Sequence, residues 1–307
     1  MSMKYKQALQ HKSDFLTYLD VERNVSINTY KSYQYDLDQF FDFWHSFEKN
    51  KKITLPLPQA LQKFFMDLYG KRFQKSSIAR KIACFKSFEK YLHTCNIAID
   101  LNLTTPKIEK KLPTYLTVDE INYLLDTLSD QELGSTRPIR DKTILETLYA
   151  TGIRCSELCN IALTDINFDQ QTIMITGKGN KQRIVIFGHK AKERLLEYIQ
   201  TERAQDNKKK NNHLFLSTHG TTIQERSVQK ILKLFSQKLP SKKQITPHKI
   251  RHSFATHLLN AGMNLRALQE LLGHSSLATT EKYTHIATKD LKELYVKYNP
   301  LKITKTD

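Results

Sequence analysis

Apolar residues recur at intervals of three and four through most of the first hundred positions of the chain. Side chains at this spacing share one face of an α-helix. The longest stripe consists of Tyr30, Tyr33, Leu37, Phe40, Phe41 and Trp44. A later stripe consists of Ile78, Ile82, Phe85 and Leu92, and a shorter one between them of Leu61, Phe64, Phe65 and Leu68. The pattern predicts a small helical bundle over residues 1–103.

The periodicity then breaks off in a short basic segment. Residues 104–116 contain two prolines and three lysines, Lys107, Lys110 and Lys111, with little apolar periodicity. Proline removes a backbone donor and interrupts helices, so this composition is typical of a connector. We therefore predict a linker at 104–116 and a second domain at 117–307.

The second domain combines helical periodicity with one pair of strands. Thr117 and Glu120 have the spacing of a capping box at a helix start, and Gly152 stands where another helix would end. The runs QTIMIT and QRIVIF are rich in β-branched residues and flank Gly177–Lys181, which has the composition of a hairpin turn. Helices are predicted at 117–128, 139–151, 190–204, 225–238 and 289–298. The fold class is mainly α, with a small antiparallel β-sheet in the C-terminal domain.

Three further helical pieces are predicted within residues 246–285. Thr246 can cap a helix whose first position is Pro247, a position that suits proline because its missing N–H would be unpaired there anyway. Gly262 and Gly273 stand where helix ends favour a left-handed residue. The pattern therefore predicts helix, turn, helix, turn and a short final helix.

Polar groups able to act on a phosphate accompany these pieces. His248 and Arg251 are one turn apart and share a helix face, whereas an adjoining apolar face packs. His274 follows directly after a turn, and Tyr283 lies in a segment rich in Ser and Thr, where a capped short helix would turn its phenol towards the histidines. The adjoining apolar face consists of Ile250, Phe254 and Leu258.

The charge of the chain points to a polyanionic partner. Its 307 residues carry a formal net charge of +17, and each phosphate covered by Lys or Arg releases condensed counterions and gains affinity. Nucleic acid is the leading candidate. We find no apolar run of spanning length, no signal peptide and no basic amphipathic helix lacking a core-facing stripe. The expectation is a soluble, cytoplasmic protein.

The four cysteines, Cys84, Cys95, Cys155 and Cys159, lack the spacing of a secreted disulfide framework. Cys155 and Cys159 have no second pair to complete a metal site. We expect all four to be reduced and structural.

Two clusters of cations are candidates for DNA contact. The first surrounds the N-terminus of a predicted helix and consists of Lys71, Arg72, Lys75, Arg80 and Lys81. Helix N-termini favour anions, so phosphate contact there and a plain solvated surface are equally good interpretations. The second comprises the linker lysines Lys107, Lys110 and Lys111, which would suit a strap crossing a DNA backbone, although a solvated connector explains them as well.

Six polar residues, four of them in 246–285, have ordinary explanations when taken singly, but together they provide what non-hydrolytic phosphodiester cleavage requires. The residues are Arg154, Lys178, His248, Arg251, His274 and Tyr283. A free phenol has a pKa of about 10, so its attack on an anionic diester needs help with deprotonation and charge neutralisation. Two guanidinium groups can hold the non-bridging oxygens as charge builds on them, which makes Mg²⁺ unnecessary.

The sequence resembles the tyrosine site-specific recombinases of the phage integrase family, and within it the bacterial Xer group. Four motifs in order carry the resemblance: LYATGIRCSEL, GKGNKQR, TPHKIRHSFATHLLNAG and LQELLGHSSLATTEKYTH. Residues 23–43, RNVSINTYKSYQYDLDQFFDF, resemble the start of the helical SAM-like core-binding domain of that family. The resemblance covers nearly the whole chain.

The resemblance assigns a role to each polar group. Arg154 and Arg251 would hold the scissile phosphate, and His248 and His274 would hydrogen-bond it and assist proton movement.

The remaining roles concern the leaving group and the nucleophile. Lys178 would be the general acid for the leaving 5′ oxygen, and Tyr283 would be the nucleophile that forms a 3′-phosphotyrosyl link. Glu157 matches the acidic position after the first arginine and would orient the site. The resemblance implies no metal, no ATP and no other cofactor.

The resemblance also implies partners. The two domains would clamp duplex DNA, and the active form would be a tetramer on two duplexes, with the final helix exchanged between neighbours. The partner subunits would be copies of this chain or a homologous recombinase, and an FtsK-type DNA translocase would be a further possible partner. Chromosome dimer resolution at segregation is the Xer role, and integration of a mobile element is the alternative.

Three rival functions use the same features. A metal-dependent nuclease would use His248, His252 and His257, but no carboxylate accompanies them before Glu270, and Arg251 would disfavour a dication. A type IB topoisomerase would use similar chemistry without an exchanged last helix. A non-catalytic DNA-binding protein would explain the charge but would leave Tyr283 without a purpose.

Overall fold

The computed structural model describes residues 3–107, 115–177, 181–207, 210–272 and 294–298. The chain divides into two compact units, Met1–Leu112 and Pro113–Asp307. The division falls within the segment predicted as a linker. No helix among the described residues has the length and apolar character that crossing a membrane requires.

The first unit is the predicted helical bundle. Its described residues form four helices, α1 (Tyr5–Val21), α2 (Ile27–Lys51), α3 (Leu57–Gly70) and α4 (Lys75–Thr94). The core is aromatic, since the rings of Phe40, Phe64 and Phe85 are all buried and meet edge to face at 5.1 to 6.4 Å. Such ring contacts add to the stabilisation that comes from burying the rings. Ser26 caps α2 by accepting the N–H of Thr29 at 3.2 Å.

The described part of the second unit is mainly helical and contains one small sheet. Its helices are α5 (Val118–Asn122), α6 (Asp130–Leu133), α7 (Pro138–Thr151), α8 (Cys155–Asn160), α9 (His189–Gln200), α10 (Glu202–Asp206), α11 (Glu225–Lys238), α12 (Pro247–Asn260) and α13 (Leu265–Leu272). A π-helical turn, Tyr123–Thr127, extends α5, and residues 294–298 are helical. The predicted fold class, mainly α with a small antiparallel sheet, is confirmed.

The sheet has the strand order β1-β2-β3 and is antiparallel throughout. Its strands are β1 (Ile166–Asn167), β2 (Thr172–Thr176) and β3 (Gln182–Ile186). The predicted hairpin is β2 and β3, with Ile175 opposite Arg183. Ile173 and Ile175 are buried, whereas Met174 on the other face is exposed. The first strand was not predicted, because two residues are too few to show an alternating pattern.

The helix predicted at 190–204 is two helices. It breaks at Thr201 (φ −106°, ψ −96°), and α10 begins at Glu202. The carboxylate of Glu202 accepts the N–H groups of Ile139 and Arg140 at 3.2 and 2.8 Å. These donors belong to the first turn of α7 and have no partner within that helix. The break therefore accompanies a contact between Glu202 and α7, which is distant in sequence. The apolar periodicity within 190–204 does not reveal such a contact.

Helix α7 is the centre of the second unit, since every residue from Arg140 to Thr151 is buried. Both carboxylate oxygens of Glu146 accept no hydrogen bond from the described residues. Arg194 Nε lies 3.4 Å from one of them. Burial raises the pKa of Glu146 to about 7, against the opposing effect of Arg194.

This carboxyl group predicts a pH-dependent stability. The folded state favours the neutral form, so the contribution of Glu146 is full below the pKa of the unfolded chain and is lost as the pH rises towards 7. A pKa difference of this size corresponds to about 3 kcal/mol. We expect Glu146→Gln to match the wild type at pH 5 and to be more stable by about 2 to 3 kcal/mol at pH 8. Urea unfolding followed by circular dichroism at pH 5, 6, 7 and 8 measures this difference.

The matched control is Glu197→Gln on the neighbouring helix α9, because Glu197 is exposed. Its stability difference from the wild type should stay constant over the same pH range. A constant difference for Glu146→Gln as well would show that Glu146 is ionised in the folded protein.

Candidate active site

The turn between α7 and α8 places Arg154 at the start of a helix. Gly152 ends α7 in the left-handed conformation, with φ of +61°, and Arg154 is the residue that precedes α8. The backbone N–H of Arg154 donates to Glu157 Oε2 at 2.8 Å, and its Nη1 donates to Glu157 Oε1 at 2.9 Å. The Arg154 side chain is 44% exposed. Its guanidinium is therefore anchored at one end and open to solvent at the other.

Arg251 joins three helices at this turn. It extends from α12, and its Nη1 donates to the carbonyl of Gly152 at 2.5 Å, while its Nη2 donates to the carbonyl of Leu272 at 2.7 Å. Burial, together with the nearby charges of Arg154 and Arg183, lowers the pKa of Arg251 to about 10, against the opposing effect of Glu157. The group stays protonated at neutral pH. The ends of α7 and α13 thus fix a second guanidinium beside the first.

Glu157 is the carboxylate between these cations. It is buried on the inner side of α8 and accepts four N–H groups from Arg154 and Arg183. Burial alone would raise its pKa, but the hydrogen bonds from Arg183 and Arg154 outweigh burial and lower the pKa to about 2. The group is an anion at every physiological pH. The orienting role of Glu157 stays a prediction, and a carboxylate with so low a pKa is a poor proton donor at neutral pH.

Arg183 is a further ligand of Glu157, and no role was predicted for it from the sequence. It lies on β3 and binds Glu157 through two parallel hydrogen bonds of 2.8 and 2.7 Å. The strand pattern could have indicated this role. Arg183 and Val185 lie on the same face of the strand, and Val185 is buried. A charged residue at an inward position of an alternating strand requires a buried partner.

His248 lies in the first turn of α12, after the capping residue Thr246, whose hydroxyl accepts the N–H of Lys249 at 3.2 Å. The side chain of His248 is exposed. Because Arg251 is one turn further along the same helix, both side chains project from the same end of α12. The predicted shared face of His248 and Arg251 agrees with this arrangement.

Three predicted site residues, Lys178, His274 and Tyr283, lie outside the described residues. The residue before Lys178 is described, because the N–H of Gly177 donates to the carbonyl of Lys181 at 2.8 Å and closes the turn between β2 and β3. A Cβ placed on Gly177 would lie 3.7 Å from Arg183 Nη1 and from Glu157 Oε1. The hairpin that carries Lys178 therefore begins beside the Arg183–Glu157 pair.

The histidines proposed for a metal-dependent nuclease do not converge. His257 is buried and its Nδ1 is 2.7 Å from the hydroxyl of Tyr149, whereas His248 and His252 are exposed. Burial lowers the pKa of His257, against a hydrogen bond from the His257 ring to the Leu116 backbone that favours the charged form. His257 therefore contributes to the packing of α12 on α7, and no group of metal-ligating side chains occurs among the described residues.

The cations proposed for DNA contact in the first unit differ in exposure. Lys71, Arg72 and Lys75 are exposed around the N-terminus of α4, and Lys71 forms an ion pair of 2.7 Å with Asp67. Arg80 is also exposed, but it pairs with the buried carboxylate of Asp36. The linker residue Lys107 is exposed, and Lys110 and Lys111 lie outside the described residues.

Lys81 differs from the other cations of this set because it is buried. It is 2% exposed, and its ammonium group donates to Asp36 at 2.7 Å and to Gln39 at 2.6 Å. Asp36 is completely buried, so the Lys81 charge compensates it within the bundle. A phosphate contact by Lys81 is therefore wrong for this structure, because its ammonium is enclosed between α2 and α4.

Family models match both units of the chain. Residues 114–290 match the Phage integrase family, and residues 13–94 match the Phage integrase, N-terminal SAM-like domain. The chain belongs to the phage integrase family. Its relatives are tyrosine recombinases, which cleave and rejoin DNA, so this protein is an enzyme of that class. Site-specific DNA recombination is its function.

Curated relatives resemble this recombinase over almost their whole length. The Tyrosine recombinase XerC of Anoxybacillus flavithermus is 38% identical over 292 residues, which cover 93% of this chain and 96% of that protein. The Tyrosine recombinase XerD of Staphylococcus epidermidis is 38% identical over 291 residues, with 94% and 97% covered. The predicted resemblance to the Xer group is confirmed.

Solved structures share the fold of this recombinase. The XerH site-specific recombinase bound to palindromic difH substrate, in a post-cleavage complex, aligns with a TM-score of 0.65 and 24% identity, covering 92% of this chain and 83% of that one. The Tn1549 transposon integrase in complex with transposon right end DNA aligns with a TM-score of 0.64 and 18% identity, covering 87% and 91%.

Proposed function

We propose that this recombinase cleaves DNA through a 3′-phosphotyrosyl intermediate formed by Tyr283, with Arg154 and Arg251 holding the scissile phosphate. The observation that carries the proposal is the hydrogen bond from Arg251 to the Gly152 carbonyl, two residues before Arg154. It brings the guanidinium of Arg251, on α12, to the turn that carries Arg154. Two fixed cations suit a diester because they neutralise its non-bridging oxygens and stabilise the charge that develops during attack.

The proposed first step exchanges one phosphodiester for another. The phenolic oxygen of Tyr283 attacks phosphorus, and the bond from phosphorus to the 5′ oxygen breaks. His248 or His274 assists removal of the phenolic proton, and Lys178 donates a proton to the leaving 5′ oxygen. A 5′-hydroxyl of a second duplex then attacks the phosphotyrosine and releases the phenol. Because bond energy is retained in the intermediate, the chemistry consumes no ATP, and the guanidinium groups replace a metal.

The proposed assembly is a tetramer on two duplexes. The hydroxyl of Tyr295 donates to the Ala150 carbonyl of α7 at 2.9 Å, so residues 294–298 dock on the helix that leads into Arg154. We propose that the final helix is exchanged between neighbouring subunits, which are copies of this chain or a homologous recombinase. The Xer names of the relatives favour chromosome dimer resolution at segregation over integration of a mobile element. This role places the protein in the cytoplasm and gives it an FtsK-type translocase as partner.

A nicked duplex tests the proposed chemistry. The target sequence is first selected from a library of randomised duplexes by rounds of binding. A nick near the scissile phosphate on that site lets the short 5′-hydroxyl strand diffuse away, so the covalent complex accumulates. We expect an adduct that survives denaturing electrophoresis and forms equally well in EDTA. Absence of the adduct on a tightly bound site would overturn the proposal and leave a DNA-binding role.

The exposed cations around α4 predict the salt dependence of DNA binding. Each phosphate contact contributes about 0.9 to the slope of log affinity against log salt concentration. If Lys71, Arg72 and Lys75 each contact a phosphate, replacing all three by Gln should lower that slope by about 2 to 3. Affinities measured by fluorescence anisotropy between 50 and 300 mM salt give the slope.

The matched control replaces three exposed lysines at the opposite end of α3, namely Lys49, Lys51 and Lys52. The 14 residues of α3 separate the two groups by about 20 Å. The control has the same net charge as the test variant. Equal slopes for the two variants would show that the α4 cluster is only a solvated surface.

A further inference from the structure

Two arginines share Glu157 unequally. Arg183 takes both oxygens of the carboxylate and its side chain is 16% exposed, whereas the Arg154 guanidinium contributes one hydrogen bond and is 44% exposed. Parallel double hydrogen bonds of this kind fix orientation as well as charge. A guanidinium has five N–H donors, so most of those on Arg154 point away from Glu157. The less exposed arginine, Arg183, thus occupies the carboxylate and leaves most N–H donors of Arg154 available.

The charges explain why this division matters for catalysis. An anion beside Arg154 competes with the scissile phosphate for the same guanidinium, and the competition is strong where water is excluded. Glu157 is such an anion, because the side chain is only 4% exposed. Pairing with Arg183 compensates its charge within the protein. Arg154 can then be oriented by Glu157 and still present its positive charge to a ligand.

We propose that Arg183 is a positioning residue for DNA cleavage, which holds the charge of Glu157 so that Arg154 remains free to bind the scissile phosphate. The inference rests on the proposed function, since it requires Arg154 to contact that phosphate. Without Arg183, the guanidinium of Arg154 would close onto both oxygens of Glu157. Its remaining donors would then point away from the DNA.

The closing experiment compares single-turnover cleavage of the nicked duplex by four proteins: the wild type, Arg183→Gln, Glu157→Gln and the double variant. We expect Arg183→Gln to slow adduct formation roughly 100-fold, the effect of removing one preorganised electrostatic group, with DNA affinity within about twofold. The double variant should be about tenfold faster than Arg183→Gln, because the competing anion is gone. If the double variant is slower than both single variants, the inference is wrong.

A second substrate separates positioning from loss of fold. In a methylphosphonate, one charged non-bridging oxygen is replaced by a neutral methyl group, so cleavage depends less on Arg154. The defect of Arg183→Gln should shrink to a few-fold on this substrate. A fraction of unfolded protein would slow both substrates equally, and that result would overturn the inference.

A third substrate tests a route through Lys178, because Gly177, the residue that precedes Lys178 in the sequence, adjoins the same ion pair. A 5′-bridging phosphorothiolate has a thiolate leaving group that needs no proton. If this substrate restores the cleavage rate of Arg183→Gln to that of the wild type, Arg183 acts through Lys178, and the proposed action through Arg154 is wrong. Lys181→Gln, which removes an exposed charge from the same hairpin, should leave the cleavage rate on all substrates unchanged.

Failure of this inference differs from failure of the proposed function. If the wild type forms no adduct, the proposed function fails. If the wild type forms the adduct and Arg154→Gln does not, while Arg183→Gln reacts at the wild-type rate, only the role of Arg183 is overturned.

Discussion

Replacing Tyr283 by Phe is expected to abolish the covalent protein–DNA adduct while leaving DNA affinity within about twofold of the wild type. The change removes one oxygen atom and keeps the ring, so the nucleophile is lost with little change in packing. Without a covalent route, strand exchange should also fall below detection, a loss larger than the roughly 100- to 1,000-fold effect of removing a single stabilising donor. Denaturing electrophoresis of the nicked-duplex reaction measures the adduct, and anisotropy measures binding.

The matched control for this prediction is Tyr298→Phe. Tyr298 is another tyrosine of the C-terminal region. The ammonium group of Lys297 lies over its ring, 5.2 Å from the ring centroid. This substitution should leave adduct formation unchanged. An adduct that persists in Tyr283→Phe would mean that a different side chain is the nucleophile, and mass spectrometry of the DNA-linked peptide would identify it.

Much of the fold could be predicted because the helices are amphipathic. The bounds predicted for the helices at 139–151 and 225–238 agree with α7 and α11 to within a residue. The hairpin was predictable because β-branched runs flank a turn of suitable composition. The positions of Arg154 and Arg251 were predictable as well, since each lies at a helix start or on a helix face that the sequence displays. Short-range periodicity thus specifies the elements, whereas the roles proposed for the two arginines come from the family resemblance.

What the sequence did not reveal depends on partners distant in sequence. Lys81 is an ordinary basic residue in a basic stretch until Asp36, 45 positions earlier, binds its ammonium group. Arg183 gains its role only when the hairpin brings it to Glu157, 26 positions earlier. The break after Gln200 accompanies contacts of Glu202 with α7. Buried charges find their partners through the tertiary fold, so patterns within one element cannot identify them.

Replacing Gly152 by Ala is expected to give the largest loss of stability among the substitutions considered for the second unit. Gly152 has φ of +61°, which costs a residue with a Cβ about 1 to 2 kcal/mol. Its Cβ would also overlap Phe254 Cδ1 and lie 2.7 Å from Phe254 Cε1 and 3.1 Å from Leu272 Cδ2. Overpacking of this kind costs about 1 to 3 kcal/mol more. The total expected loss is about 2 to 5 kcal/mol.

Gly134→Ala is the matched control, because Gly134 has nearly the same backbone angle, φ of +67°, and nothing within 4 Å of a built Cβ. It should lose only the backbone contribution of about 1 to 2 kcal/mol. Unfolding in urea can be assigned to each unit, since the single tryptophan, Trp44, lies in the first unit. Tryptophan fluorescence should therefore be unchanged in both variants, and circular dichroism should show an earlier transition for the second unit.

Gly152→Ala should also impair cleavage in protein that remains folded, because the carbonyl of Gly152 accepts Arg251 Nη1 and the clashing ring belongs to the same helix as Arg251. Relief of the clash moves α12 away from α7 and withdraws that guanidinium from Arg154. Phe254→Leu, which shortens the clashing side chain, should recover part of the stability and part of the cleavage rate when combined with Gly152→Ala. If Gly152→Ala and Gly134→Ala lose equal stability, the added methyl group at Gly152 meets no clash. In that case the packing of Phe254 and Leu272 against Gly152 does not hold Arg251 in place.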